Sequence, residues 1–280
     1  MRIVGSVLVH NEDVFVEQAI RNAVSFCDRI HAVDHVSSDG TWEILRALSR
    51  EFDHVDVRRA RHSRVSHEVL ETYVGTDTWV LRIDGDELYD PDRLVELRES
   101  LEAGAQREVF RVLGNVLHAV ELDRARGTAS GYLSPPSRPI SALYNLRAVS
   151  SWTGCPQRLH AGNPAFRPGY DWAVVDRLYQ RFDWNESPLR CLHVCFLRRS
   201  ALDTAEAPRA NLGELGLYRR SPVGAAERLL RRVVRRPAGD PRLQALRSGG
   251  SSWKLQKYRR GDPVTVDAAS FLSAGTHVIA

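Results

Sequence analysis

The sequence predicts an α/β protein built on a mixed, mainly parallel sheet, and three observations point there. Apolar strand-like runs alternate with helix-like runs over the first hundred residues, the pattern of a parallel sheet covered on both faces. Polar residues follow the ends of these runs at Asn11, Asp34, Asp39, Asp84 and Asp86, where ligands of such sheets bind. Composition is that of a folded protein, 43% hydrophobic and 26% charged over 280 residues, enough for one large domain with an appendage.

The elements follow in order. RIVGSVLVH reads as a buried strand, and EDVFVEQAIRNAVSF as a helix with Val14, Ile20 and Val24 at helical spacing. RIHAVDH is a second strand. SSDGTWEILRALSREF opens with capping residues and sets Trp42, Leu45 and Leu48 on one face. VDVRR is a third strand, SHEVLETYV a helix and WVLRID a fourth strand. DPDRLVELRESLEAG is a helix with Asp90 as its cap and Pro91 in its first turn. After residue 105 the alternation stops. EVFRVLGNVLHAVEL and ISALYNLRAV read as strands, and residues 151–200 are rich in Trp, Pro, Gly and His. The reading divides the chain into 1–105, 106–200 and an arginine-rich extension, 201–280, helical in part.

Several classes drop out. No apolar run approaches the roughly 18 residues of a membrane helix, and MRIVGSVLVHNED runs into acids without a signal-type cleavage site. Cys27, Cys155, Cys191 and Cys195 are scattered, which disfavours a structural zinc site and fits a reduced, cytoplasmic protein. The net charge of +4 is nearly all arginine, the only lysines being Lys254 and Lys257. So mild an excess suits a phosphate-bearing partner and does not call for nucleic acid. AERLLRRVVRRP places Leu229, Leu230, Val233 and Val234 on one helical face. Such a helix packs on its own domain or makes a peripheral contact with an anionic membrane, and both readings stay open.

WVLRIDGDELYD crowds Asp84, Asp86 and Glu87 around one glycine. Carboxylates so close repel unless something positive sits among them. A helix-loop-helix calcium site fails, because Leu88 and Tyr89 fall where a ligand and a glycine are needed. A haloacid-dehalogenase-type phosphatase fits poorly, since both lysines lie in the C-terminal tail. The remaining reading is a divalent cation that bridges a diphosphate, for which hard oxygen ligands are suited.

VLVHNED, AVDHVSSDGTWEIL and WVLRIDGDE, in this order and spacing, resemble family 2 glycosyltransferases of the GT-A fold, a Rossmann-like nucleotide-sugar-binding architecture. The resemblance covers about the first hundred residues and departs at Asp34-His35, where the family often has paired aspartates. It implies that Asn11, Glu12, Asp34, Asp39 and Asp84 bind the nucleotide, and that Asp86 contacts Mn2+ or Mg2+. It implies transfer of a sugar, with inversion, from a UDP- or dTDP-sugar donor to a small-molecule or glycan acceptor.

GYDWAVVDRLYQRF resembles the region that supplies the family's catalytic carboxylate, which makes Asp171 the first candidate for the base. His160 is a second, because an imidazole titrates near working pH; Asp176 and Glu186 come next. His193, in CLHVCFLRRS, matches the place of a third metal ligand and equally suits a core histidine. Arg198 or Arg199 then meets the diphosphate. The alternative of another class is a nucleotide-sugar-binding protein without catalysis. A nucleotidyltransferase would want a glycine-rich phosphate loop, and VLVHNED has none. The residues leave the oligomeric state open.

Overall fold

In a computed structural model, residues 1–203 and 252–273 are described, so the arginine-rich helix expected near 226–237 lies outside the described residues. The strands of the first half are β1 (Arg2–Val9), β2 (Arg29–Asp34), β3 (Val55–Arg59) and β4 (Thr78–Asp84). β1 and β4 are buried nearly throughout and rich in Val, Ile and Leu, as central strands covered on both faces require. Between them run α1 (Val16–Arg21), α2 (Thr41–Glu51) and α3 (Val65–Glu71). The helix expected over 12–26 is thus confined to six residues, with turns completing it. Beyond β4 come β5 (Glu87–Tyr89) and α4 (Pro91–Glu102). Asp90 caps α4 as expected, its carboxylate accepting from the Asp92 and Arg93 amides.

The second half supplies β6 (Arg111–Leu113), β7 (Asn115–Asp123), β8 (Thr128–Ser134), β9 (Ala142–Asn145), β10 (Val149–Thr153), β11 (Asn163–Phe166), β12 (Val175–Arg177) and β13 (Arg190–His193). The extension adds α5 (Ser252–Tyr258), β14 (Val264–Asp267) and α6 (Ala269–Leu272). It is therefore not helical alone, because β14 pairs with β8.

Seven strands form the main sheet in the order β12-β6-β9-β4-β1-β2-β3. β9 runs antiparallel to β4 and β6, while β4, β1, β2 and β3 run parallel to one another. The architecture is α/β with a mixed, mainly parallel sheet, as expected. A second sheet has the order β14-β8-β7-β13-β5. The single strand expected over 108–122 is split at Gly114, where a Cβ would lie 2.0 Å from the Leu189 carbonyl oxygen. There the chain passes from the main sheet into the second one.

The two sheets meet after Asp84. β4 ends the main sheet's central strand, and three residues later β5 pairs with β13 in the second. The turn between them is Gly85-Asp86, so the acidic stretch sits in the seam. A Cβ on Gly85 would come 2.9 Å from Glu12 Cβ and Val9 Cγ1, closer than packed atoms tolerate. Glycine there lets the β4 turn approach the end of β1. No described helix is long and apolar enough to cross a membrane.

Candidate active site

At the carboxyl end of β4 the two sheets enclose a cavity of about 820 Å³. Glu12, Asp84, Asp86, His160, His193 and Arg199 line it, with Arg82, Arg111 and Arg158. Of the residues singled out from sequence, Glu12, Asp84, Asp86, His160 and His193 therefore come together. Asn11, Asp34, Asp39 and Asp171 are not part of the lining.

Asp86 is buried against cations. Its Oδ2 accepts from Arg199 Nη1 and lies 3.6 Å from His193 Nε2. The same Arg199 nitrogen is 3.3 Å from Glu12 Oε1. Burial disfavours the charged guanidinium, yet Glu12 and Asp86 outweigh it and raise the Arg199 pKa. Arg199, distant from both carboxylates in sequence, is the resident positive charge that offsets the acidic crowding.

His193 is oriented by a second histidine that sequence reading missed. His118 Nε2 lies 2.9 Å from the Arg138 carbonyl oxygen, which only accepts, so Nε2 carries the proton. Burial, with His193 beside it, pushes the His118 pKa down to about 2, and the ring is neutral. His118 Nδ1 then accepts from His193 Nδ1 at 2.8 Å. That leaves His193 Nε2 facing Asp86. Burial opposes charge on His193, but Cys195 and Asp86 raise its pKa to about 10. Tyr258 of α5 stacks on His118 with centroids 4.4 Å apart. The apolar run VLHAV in β7 was the available signal, because it sets a histidine within a buried stretch of strand.

One carboxylate oxygen and one imidazole nitrogen facing each other fit a divalent ion of the manganese kind. The neutral His118 supports that fit, because a ligating histidine takes its orientation from a partner on its other nitrogen. Such an ion would take the place of the His193 Nε2 proton and compete with Arg199 for Asp86. Among the described residues, His118, His193 and Cys195 also bring three ligand atoms within 4.8 Å of one another. The His118–His193 hydrogen bond already engages one nitrogen of each ring.

Asp84 takes a different partner, Arg158, whose Nη1 is 2.5 Å from Oδ1. Glu87 is fully buried, and burial with Asp84 beside it raises its pKa to about 7. Burial also lowers the His160 pKa, with Arg82 and Arg158 adding to the effect. The ring is neutral at pH 7 and able to accept a proton.

The other expected residues hold the loops in place. Asp34 is fully buried; its carboxylate accepts from the Ser37 amide and pairs with Arg59 at 3.0 Å. Asp39 Oδ1 accepts from Thr41 Oγ1 at 2.6 Å, and Thr41 Oγ1 accepts from the Glu12 amide at 2.8 Å. Asp39 Oδ2 takes the Ser200 hydroxyl at 2.6 Å. One carboxylate thus ties the Glu12 loop to the Arg199 loop. Burial opposes its charge, but the Ser200 and Thr41 hydrogen bonds lower its pKa. Asn11 Oδ1 accepts from the Ser38 amide at 2.7 Å. Asp171 is exposed and closes a turn, accepting from the Ala173 and Val174 amides. Asp176 pairs with Arg181 at 2.6 Å.

The sequence matches no protein-family profile and no curated protein. Among solved structures, the chain is similar to TarS of S. aureus in complex with UDP (13% identity, 52% of this chain and 47% of that one, TM-score 0.35). It is similar to the mannosyltransferase PcManGT of Pyrobaculum calidifontis with GDP-Man and Mn2+ (15%, 63% and 56%, TM-score 0.36). A third is glucosyl-3-phosphoglycerate synthase of Mycobacterium tuberculosis with Mn2+, UDP and glucosyl-3-phosphoglycerate (15%, 85% and 82%, TM-score 0.41). The chain spans about half the length of the first two. Scores this low carry no argument about chemistry, and the reading below rests on the residues of the site.

Proposed function

We propose that this protein is a GT-A-type glycosyltransferase that moves a sugar from a UDP- or dTDP-sugar to an acceptor hydroxyl, with inversion. The observation that carries the reading is the seam after β4. Asp86, Glu12, His193 and Arg199 face one another there, at the carboxyl end of a parallel sheet, on a cavity large enough for a nucleotide sugar. Asn11, Asp34 and Asp39 belong to the neighbouring loops of β1 and β2, the side proposed for the nucleotide. Inversion and the choice of nucleotide rest on the sequence resemblance alone.

In this reading the acceptor oxygen attacks the anomeric carbon while the bond from that carbon to the phosphate oxygen breaks. The bonding pair leaves on the diphosphate, and the hydroxyl proton passes to a protein base. His160 is our first choice for the base, because it is neutral and lines the cavity. Asp171 is the alternative, with a carboxylate that already holds two amides. Arg199 offers the leaving diphosphate a buried positive charge. A divalent ion held by Asp86 and His193 would neutralise the developing charge on that diphosphate.

The test is to incubate the full chain with UDP-, dTDP- and GDP-sugars and Mn2+, and to measure released sugar. The expected result is slow hydrolysis of at least one donor, abolished by a chelator. Binding of a nucleotide sugar with no release in the presence of any acceptor would favour the binding-protein reading. Binding of none would end the transferase reading.

A further inference from the structure

The cavity is also lined by cationic side chains that the donor chemistry does not use. Arg82 of β4, Arg111 of β6, Arg158, Arg138 and Lys257 all line it. Of the lining carboxylates, Asp84 is already paired with Arg158, Glu12 and Asp86 face Arg199, and burial disfavours the charge of Glu87. Positive charge is in excess.

Three of these arginines keep a donor unused. The Nε atoms of Arg82, Arg111 and Arg158 are each buried without a hydrogen-bond partner. A buried donor left unsatisfied costs free energy unless something supplies an acceptor. Arg158 is also the most firmly placed. Its residue is 5% exposed, its amide donates to Ser66 Oγ at 2.9 Å, and its carbonyl oxygen lies 2.5 Å from His67 Nδ1. Its φ of 39° is left-handed, a conformation that non-glycine residues keep only where the surroundings impose it. Arg111 is flanked by rings, its guanidinium carbon 6.0 Å from the centroids of Tyr144 and Trp172. Arg158 Nη1 is already held by Asp84 and the Ile83 carbonyl oxygen, so both side chains are fixed in place with little freedom left to lose.

Arg111 stands apart from the donor's diphosphate, while Arg82 and Arg158 reach the cavity at the end of β4, where Arg82 donates to the Ile140 carbonyl oxygen and Arg158 to that of Ile83. Asp86, His193 and Arg199 lie where β4 meets the second sheet, whereas β6 is two strands beyond β4, with β9 between them. Two strand spacings are about 10 Å, and the displacement is away from β1 and β2.

We propose that the acceptor is anionic, carrying a phosphate or carboxylate group received by Arg82, Arg111 and Arg158 in the cavity. Arginine suits both groups, since its paired N–H donors match two oxygens at once. The proposal deepens the transferase reading and rests on it for the word acceptor.

The experiment is calorimetric titration of the full chain, first with UDP and Mn2+, then of the UDP-loaded protein with inorganic phosphate, glycerol 3-phosphate, glycerate or glycerol. At least one anionic probe is expected to bind and glycerol is not; the better of phosphate ester and carboxylate identifies the group. Arg111→Gln should weaken the bound anion about tenfold, the loss of one charge-assisted contact, with Arg111→Lys intermediate and UDP affinity kept. Because β6 is short, circular dichroism of both variants checks that the fold is retained, and Arg82→Gln gives a second site for the same measurement. Binding of no anionic probe, equal binding of glycerol, an anion affinity unchanged in both glutamine variants, or displacement of UDP by glycerol 3-phosphate overturns the proposal. Failure of UDP to bind while the anion still binds through Arg111 would sink the transferase reading and leave the anion site standing.

Discussion

The wall of the cavity built by β1 and β4 and the wall built by β6, β7, β13 and α5 reach the site by different routes. On the first, Glu12, Asp84 and Asp86 stand in short turns directly after their strands, so a few contiguous residues carry each contribution. On the second, His118, Arg158, His193, Arg199 and Tyr258 come from four separated segments, and each depends on a partner far away in sequence. The first wall is a set of strand ends; the second is a set of long-range pairs. Local sequence thus gives the acidic side of the cavity, while folding alone assembles the side that neutralises it.

The largest test of that contrast is Asp86, where the two walls touch. Asp86→Ala should abolish manganese-dependent donor binding. It should also destabilise the fold by about 3–5 kcal/mol, because it strips the buried Arg199 of its closest partner. Asp86→Ala combined with Arg199→Met should restore most of the stability and none of the binding. Chemical denaturation beside calorimetry separates the two effects. A single variant as stable as wild type would mean that Glu12 alone can hold Arg199.

His160 tests the chemistry of the second wall. His160→Gln should lower turnover by about 10²-fold while sparing donor affinity. The wild-type pH profile carries the sign. Because the His160 pKa is lowered, the ring remains unprotonated further into acid, and activity should fall only below the ordinary value of about 6.5. An acid limb above that value would point to another base.

His118 tests whether the second wall orients the first. His118→Phe keeps the ring against Tyr258 and removes the hydrogen bond that fixes His193. Affinity for Mn2+, read by titration of the ion alone, should fall about 10–100-fold, the usual effect of removing a partner of a metal-ligating histidine. Unchanged affinity would make His193 a core histidine.

Asp171 should give the smallest effect. Asp171→Asn weakens a turn on an exposed segment, so stability should change by less than about 1 kcal/mol. Turnover should stay at the wild-type level. A large loss there, with His160→Gln active, would transfer the base role to Asp171.

The parallel sheet was legible because each strand is a continuous apolar run and each helix has its own cap or period; Asp90 and Pro91 marked α4 to the residue. The split of β6 from β7 was not legible. Nothing local at Gly114 says that the Leu189 carbonyl will occupy the space of a side chain. The site divides the same way. DGDE announced a charged turn, and the family pattern pointed to Asp86 and His193. Arg199, by contrast, was one arginine of many until the fold set it between Glu12 and Asp86. Asp34 and Asp39 show the converse, since the same carboxylate pattern also serves Arg59, Ser37, Thr41 and Ser200.

The most direct test of the central claim is calorimetric titration of the full chain with UDP, in Mn2+ and again in EDTA, repeated on the folded Asp86→Ala/Arg199→Met variant. The account predicts binding in Mn2+, loss of binding in EDTA, and no binding to the variant under either condition. Equal binding of UDP to wild type and variant in EDTA would contradict it, because the seam after β4 would then take no part in holding the donor.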